Sequence, residues 1–120
     1  MKNILVVDDD REIAELMRDM LSGPVWDVSI AADGVEAVRE SQRHHIDLIV
    51  MDVCMPNFSG FWHCDAFRRK PHTSNIPVIL VSGLPDDDLA EKARSVGARA
   101  FLRKPFRADD LLQAARACLG

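Results

Sequence analysis

The sequence predicts an α/β fold: a doubly wound parallel sheet of five strands in the order 2-1-3-4-5, with five helices over its two faces. Three observations carry that prediction. Short runs that are apolar at every position, such as Ile4-Leu5-Val6-Val7, Leu48-Ile49-Val50-Met51 and Val78-Ile79-Leu80-Val81, read as strands buried on both faces. Between the strands lie stretches with helical spacing, so the order is βαβαβαβαβα, the pattern of right-handed crossovers in a parallel sheet. The chain has 120 residues with 48% hydrophobic content, enough for one compact core, and residues 1–120 are expected to form a single domain.

Taken in order, the first apolar run ends in Asp8-Asp9-Asp10. Ile13, Leu16, Met17, Met20 and Leu21 then form one helical stripe, which Ser22-Gly23-Pro24 stops. A weaker strand follows from Trp26 to Ala31. Asp33-Gly34 turns the chain into a short helix through Val35, Ala37 and Val38 that ends near His44-His45. The run from Leu48 leads into Asp52, and Pro56 prevents it from continuing. Asn57 to Gly60 reads as loop and Phe61 to about Lys70 as the third helix. After the fourth run and Ser82-Gly83, a helix is expected from about Pro85 to Val96. It has three acids in its first turn (Asp86, Asp87, Asp88) and a thin apolar stripe of Leu89, Ala93 and Val96, and Gly97 caps it. Ala100-Phe101-Leu102 is a short strand leading to Arg103-Lys104-Pro105. The last helix carries Leu111, Leu112, Ala115, Cys118 and Leu119 on one face. Five strands and five helices in this length fit the flavodoxin-like arrangement, which sets the first and third strands side by side at the switch point.

Composition excludes several classes. No apolar run approaches the length of a membrane span and the N-terminus lacks a signal-peptide pattern, so the expected compartment is the cytoplasm. Three widely spaced cysteines, Cys54, Cys64 and Cys118, do not form a disulfide framework. A net charge of −4 gives no general reason to bind nucleic acid or an anionic membrane, and Arg68-Arg69-Lys70 reads as a solvated helix end.

In open parallel sheets, ligands bind at the carboxyl ends of the strands. Asp8-Asp9, Asp52, Ser82 and Lys104 all fall at such ends. Three converging carboxylates cannot all stay ionised without a cation, and a hard, oxygen-liganded ion such as magnesium satisfies them while leaving room for phosphate oxygens. Lys104 adds a mobile positive charge and Ser82 a hydroxyl for a bound phosphoryl group. A carboxylate beside magnesium and lysine can accept that group as an acyl phosphate.

This ordered set, with the Asp52…Pro56…Gly60 spacing, Asp33-Gly34 and Gly97 before the last strand, resembles the receiver domain of bacterial response regulators over Lys2 to Leu119. The resemblance implies that Asp52 accepts a phosphoryl group from a histidine kinase or histidine phosphotransfer protein. It implies that Asp9 and Asp52 supply side-chain ligands to Mg2+, with the backbone carbonyl of Cys54 as a third and Asp8 acting through a bound water. Lys104 would pair with Asp52 and then with the phosphoryl group, while Ser82 swings in to hydrogen-bond it. Phe101 matches the aromatic that rotates inward in the active state, and the Lys104-Pro105 peptide is expected to be cis. The thin stripe after Ser82 marks that helix as the easily displaced one, so the fourth helix, fifth strand and fifth helix form the expected output face. Homodimerisation through that face stays open.

The sequence departs from the family pattern at four places. Cys54 and Leu84, two residues after Asp52 and Ser82, occupy positions that tune hydrolysis of the phosphoryl group, and neither positions a water well. Phe101 lacks the hydroxyl of the commoner tyrosine. Trp62-His63-Cys64 is an unusual opening for the third helix, although with Cys54 it matches no zinc spacing.

Blander readings stand beside these. Asp8 to Asp10 could be only a helix cap, Ser82 a turn residue, Phe101 core, and His44-His45 a helix end. Two other functions compete with the switch. A magnesium-dependent phosphohydrolase with an aspartyl-phosphate intermediate would usually need a carboxylate where Cys54 stands. A flavodoxin-like cofactor binder would meet three acids where it needs a phosphate loop. Neither the cognate kinase nor the output can be read from the residues.

Overall fold

The computed structural model describes residues 1–55, 59–85 and 87–119. Its elements alternate strictly: β1 (Lys2–Val7), α1 (Arg11–Leu21), β2 (Trp26–Ala31), α2 (Gly34–Arg43), β3 (Leu48–Asp52), α3 (Gly60–Arg69), β4 (Val78–Ser82), α4 (Leu89–Ser95), β5 (Ala100–Arg103) and α5 (Ala108–Leu119). The strands form a parallel sheet in the order β2-β1-β3-β4-β5, the doubly wound, flavodoxin-like topology that the alternation predicts.

Successive side chains of a strand point to opposite faces, and the two cores follow that rule. On one face Leu5, Val7, Ile49, Met51, Val78 and Leu80 meet residues of α2, α3 and α4. On the other, Ile4, Val6, Leu48, Val50, Ile79 and Val81 meet Ala14, Met17 and Leu21 of α1 and Leu111 and Ala115 of α5. Every residue of β3 and β4 is buried. β2 lies at the edge and buries only Ala31 fully, which explains its weaker hydrophobic signal.

The first and fourth helices differ most from expectation. In α1 the buried residues are Ala14, Met17 and Leu21, whereas Leu16 is 55% exposed. Small Ala14 faces the sheet at the i, i+3, i+7 seam, and Leu16 falls on the flank. The fourth helix is much shorter than Pro85 to Val96, because α4 starts only at Leu89. Asp86 lies outside the described residues. Asp87 and Asp88 precede the helix, Asp88 makes no side-chain cap hydrogen bond, and the first-turn acid is Glu91. Without a cap, and with only Leu89 and Ala93 buried, nothing offsets the entropy of extending the helix upstream. Its C-terminal end is better held. Gly97 adopts φ 87°, its N–H donates to Arg94 O and the Ala98 N–H donates to Ala93 O, which together make a Schellman motif.

The third helix begins one residue early, where Ser59 accepts the Trp62 N–H at 3.2 Å. Its unusual opening belongs to the core. His63 is buried against α2, where a Cβ on Gly34 would lie 2.1 Å from the imidazole, so that glycine gives the ring its space. Cys64 is also buried; its thiol donates to Val96 O, and burial pushes its pKa up to about 11.

Candidate functional site

The switch point sets the site. β1 pairs with β3 in the register Val7↔Met51, so the next residues, Asp8 just past β1 and Asp52 at the end of β3, come side by side at the sheet's carboxyl edge. On the other flank, Ser82 pairs with Arg103, and the Lys104 N–H donates to Ser82 O at 2.7 Å. The three acids predicted to converge do so: Asp8, Asp9 and Asp52 each place a carboxylate oxygen within 4.8 Å of the other two. Asp8 and Asp52 are only 3% and 5% exposed, while Asp9 faces solvent. Lys104 Nζ lies 2.9 Å from Asp52 Oδ1 and 3.6 Å from Asp8 Oδ2.

The helix-cap reading of the acidic run holds for one residue of three. Asp10 caps α1, accepting the N–H groups of Glu12 and Ile13. Asp8 uses Oδ1 to accept the Asp10 N–H at 2.9 Å, and its buried Oδ2 has no hydrogen-bond partner among the described residues.

Burial raises the Asp52 pKa above the usual carboxylate value, with the Lys104 hydrogen bond and charge opposing it. Burial likewise raises Asp8; the Asp10 N–H lowers it and the Asp52 charge raises it again. For Lys104, burial favours the neutral amine, but the Asp52 hydrogen bond and the charges of Asp52 and Asp8 outweigh it, and the net shift is upward. One lysine thus faces two of the three carboxylates. A buried carboxylate oxygen with no hydrogen-bond partner among the described residues, amid hard oxygen donors, fits a divalent cation such as Mg2+.

The same crowding yields a prediction for the metal-free protein. Asp8→Asn should raise its stability by about 1 kcal/mol, or roughly 4 °C in Tm, by removing a buried, desolvated charge that the neighbouring carboxylates also repel. The sign follows from linkage. The folded-state pKa of Asp8 lies above the ordinary 3.8, so its contribution is fully present below 3.8 and is lost as pH rises through the raised value. Thermal melts at neutral pH check this, and saturating Mg2+ should reverse the order of wild type and variant.

The remaining predicted residues surround the cluster. Ser82 is fully buried, and its Oγ accepts the Leu84 N–H at 3.0 Å, as a turn residue does. Leu84 and Cys54 are exposed. Phe101 is partly buried against the α2–α4 core, and the Lys104-Pro105 peptide is cis. Pro56, Asn57 and Phe58 lie outside the described residues, so the Asp52…Pro56…Gly60 spacing is visible only at its ends.

Two contacts escaped sequence reasoning. Gly60, part of the Asp52…Pro56…Gly60 spacing, donates its N–H to Val53 O at 2.8 Å; a Cβ there would lie 2.4 Å from Asp52 O. The spacing is a signal in the sequence, but the close approach is not. Arg103 donates to Leu84 O at 3.3 Å and lies 5.7 Å from the centre of the Phe101 ring. That contact has no sequence signal, since it joins a side chain to a distant backbone carbonyl.

The fold and the acid–lysine cluster define a doubly wound domain with a cation-ready carboxylate site at its switch point. The family model of the response regulator receiver domain matches residues 4–116, and the chain belongs to that family, the receiver domains of two-component signalling. Among its relatives, the DNA-binding dual master transcriptional regulator RpaA of Synechocystis sp. is 33% identical over 119 residues, covering 99% of this chain and 49% of that protein. Response regulator PleD of Caulobacter vibrioides is 36% identical over 113 residues, which are 94% of this chain and 24% of PleD. Chemotaxis protein CheY4 of Vibrio cholerae has a similar structure, with a TM-score of 0.90, 30% identity and 99% of each chain covered. The chain spans about half the length of RpaA and about a quarter of PleD.

Proposed function

We propose that residues 1–120 form a phosphorylation-controlled switch in which Asp52 is the phospho-acceptor. The observation that carries this reading is the Lys104–Asp52 pair set in a three-carboxylate cluster in which one buried oxygen, Asp8 Oδ2, has no hydrogen-bond partner among the described residues. The donor is a phosphohistidine on a histidine kinase or histidine phosphotransfer protein. An oxygen of Asp52 forms the new O–P bond as the P–N bond of the donor breaks, and the imidazole is the leaving group. Asp9, Asp52 and the Cys54 backbone carbonyl are the residues to hold Mg2+, with Asp8 acting through a water. When bound, the ion supplies positive charge to the phosphoryl oxygens.

Lys104 keeps Asp52 in place beforehand and then passes its charge to a phosphoryl oxygen. Ser82 releases the Leu84 N–H and donates its own hydroxyl to the phosphoryl group. That movement opens space for Phe101 to turn inward and biases α4, whose uncapped start and thin buried stripe make it a weakly anchored helix. The altered surface of α4, β5 and α5 then changes partner binding, in an output domain of a longer protein or in a separate protein. Self-association through that face is one form of such output.

In this reading the chain promotes only its own phosphorylation and dephosphorylation and is not an enzyme acting on other substrates. It touches neither nucleic acid nor membrane itself. The proposed compartment is the cytoplasm. No helix among the described residues is long and apolar enough to cross a membrane.

Incubation with acetyl phosphate and Mg2+ tests the proposal. Stoichiometric labelling that depends on Asp52 supports it, many turnovers would instead indicate a phosphohydrolase, and no labelling would refute both. The lifetime of the phosphoryl group gives a separate prediction. Cys54 and Leu84 are exposed beside the site and neither orients a water. Cys54→Asn combined with Leu84→Glu should therefore speed loss of the label by about tenfold, equivalent to about 1.4 kcal/mol of barrier. Equal decay rates in a chase experiment would rule this out.

A further inference from the structure

Arg103 is placed to govern when the switch moves. The turn after β4 is held by both backbone groups of Leu84: the N–H donates to Ser82 Oγ at 3.0 Å, and the carbonyl accepts from Arg103 Nη1 at 3.3 Å. The same guanidinium lies 5.7 Å from the centre of the Phe101 ring. Arg103 is also the register partner of Ser82 across β4 and β5. One side chain therefore joins the turn that contains Ser82 to the aromatic ring on the neighbouring strand.

We propose that Arg103 is a positioning residue, a latch that favours the resting arrangement of Ser82, Leu84 and Phe101 and so sets how readily a phosphoryl group captures the domain. This rests on the assignment of Ser82 and Phe101 as the moving pair. For Ser82 Oγ to reach a phosphoryl oxygen it must leave the Leu84 N–H, and Leu84 then shifts the carbonyl that Arg103 holds. When Phe101 turns inward, its ring leaves the guanidinium. Both contacts belong to the resting state and are absent from the active one. Interactions made in only one of two states shift the equilibrium by their full strength. An exposed cation–π contact and one exposed hydrogen bond together correspond to about a three- to tenfold effect.

Simple charge predicts the opposite result. Arg103 is next to Lys104, so its removal takes positive charge from the neighbourhood of an anion site, and electrostatics alone would weaken anion binding. The two accounts differ in sign, which makes the test decisive. Beryllofluoride with Mg2+, a phosphoryl mimic, is titrated calorimetrically into wild type, Arg103→Ala and Arg103→Gln. The latch predicts apparent dissociation constants about three- to tenfold lower in both variants. It also predicts that the Phe101 ring signals of the unliganded variants move toward those of beryllofluoride-bound wild type. Arg103 is exposed, so both variants should fold, and circular dichroism checks that they do. Unchanged or weaker binding by the folded variants, with wild type binding normally, overturns the latch and leaves Asp52 as acceptor. Failure of wild type itself to bind the mimic overturns the underlying assignment.

Discussion

Replacing Asp52 with asparagine will abolish phosphoryl uptake, from acetyl phosphate and from a phosphohistidine donor alike, by at least about a hundredfold. The amide has nearly the shape of the carboxylate but neither its charge nor its nucleophilic oxygen. Lys104 loses the partner 2.9 Å away that holds it over the site, and the acid cluster loses one of its three carboxylates. The fold should not suffer. Asp52 is buried with a pKa that burial drives upward, so removal of its charge relieves the metal-free protein. The expected result is a folded, inert domain whose affinity for Mg2+ also falls. Radiolabelling and a thermal melt on the same sample separate these outcomes. Label retained by Asp52→Asn would place the acceptor elsewhere, whereas an unfolded variant would mean that the Lys104–Asp52 pair is structural.

Gly60→Ala should produce the largest loss of stability of the substitutions considered, on the order of 3 kcal/mol, or roughly 12 °C in Tm. A Cβ at this position would lie 2.4 Å from Asp52 O and 2.9 Å from Val53 Cα. Both are backbone atoms at the end of the fully buried β3, so no flexible side chain can give way. Either α3 withdraws and loses the Gly60 N–H to Val53 O hydrogen bond, or the end of β3 moves and carries Asp52 with it. Mg2+ affinity should therefore drop together with Tm. Gly83→Ala is the matched control. The nearest atom to its Cβ is Lys104 Cβ at 3.7 Å, an ordinary contact, and its effect should be within about 0.5 kcal/mol. Equal melting temperatures for the two variants would mean that the approach of α3 to Asp52 is not tight.

Much of this molecule is legible in its residues, for reasons that differ by element. β3 and β4 announce themselves because they are covered on both faces and must be apolar throughout. Edge strand β2 reads weakly because half of it faces water. α4 was overextended because Asp86, Asp87 and Asp88 look like a first turn. The acids favour a helix start but cannot dictate where hydrogen bonding begins, and burial of Leu89 and Ala93 decides that. In α1 the spacing identified a helix and five stripe positions, but Leu16 turned outward because small Ala14 set the packed face.

By itself, the sequence determined the alternation of strands and helices, and hence the sheet order. It also determined which carboxylates and which lysine fall at strand ends, because periodicity and chain order are local properties that a parallel sheet converts into position. Only the tertiary structure decided what those groups do to one another. It separated Asp10 the helix cap from Asp8, whose buried Oδ2 has no hydrogen-bond partner among the described residues, set Lys104 between Asp52 and Asp8, pressed Gly60 against the end of β3 and laid Arg103 across Leu84 and Phe101. The Lys104 and Arg103 contacts join segments far apart in the chain, and all of these contacts are made over a few ångströms. Neither spacing nor composition encodes such distances.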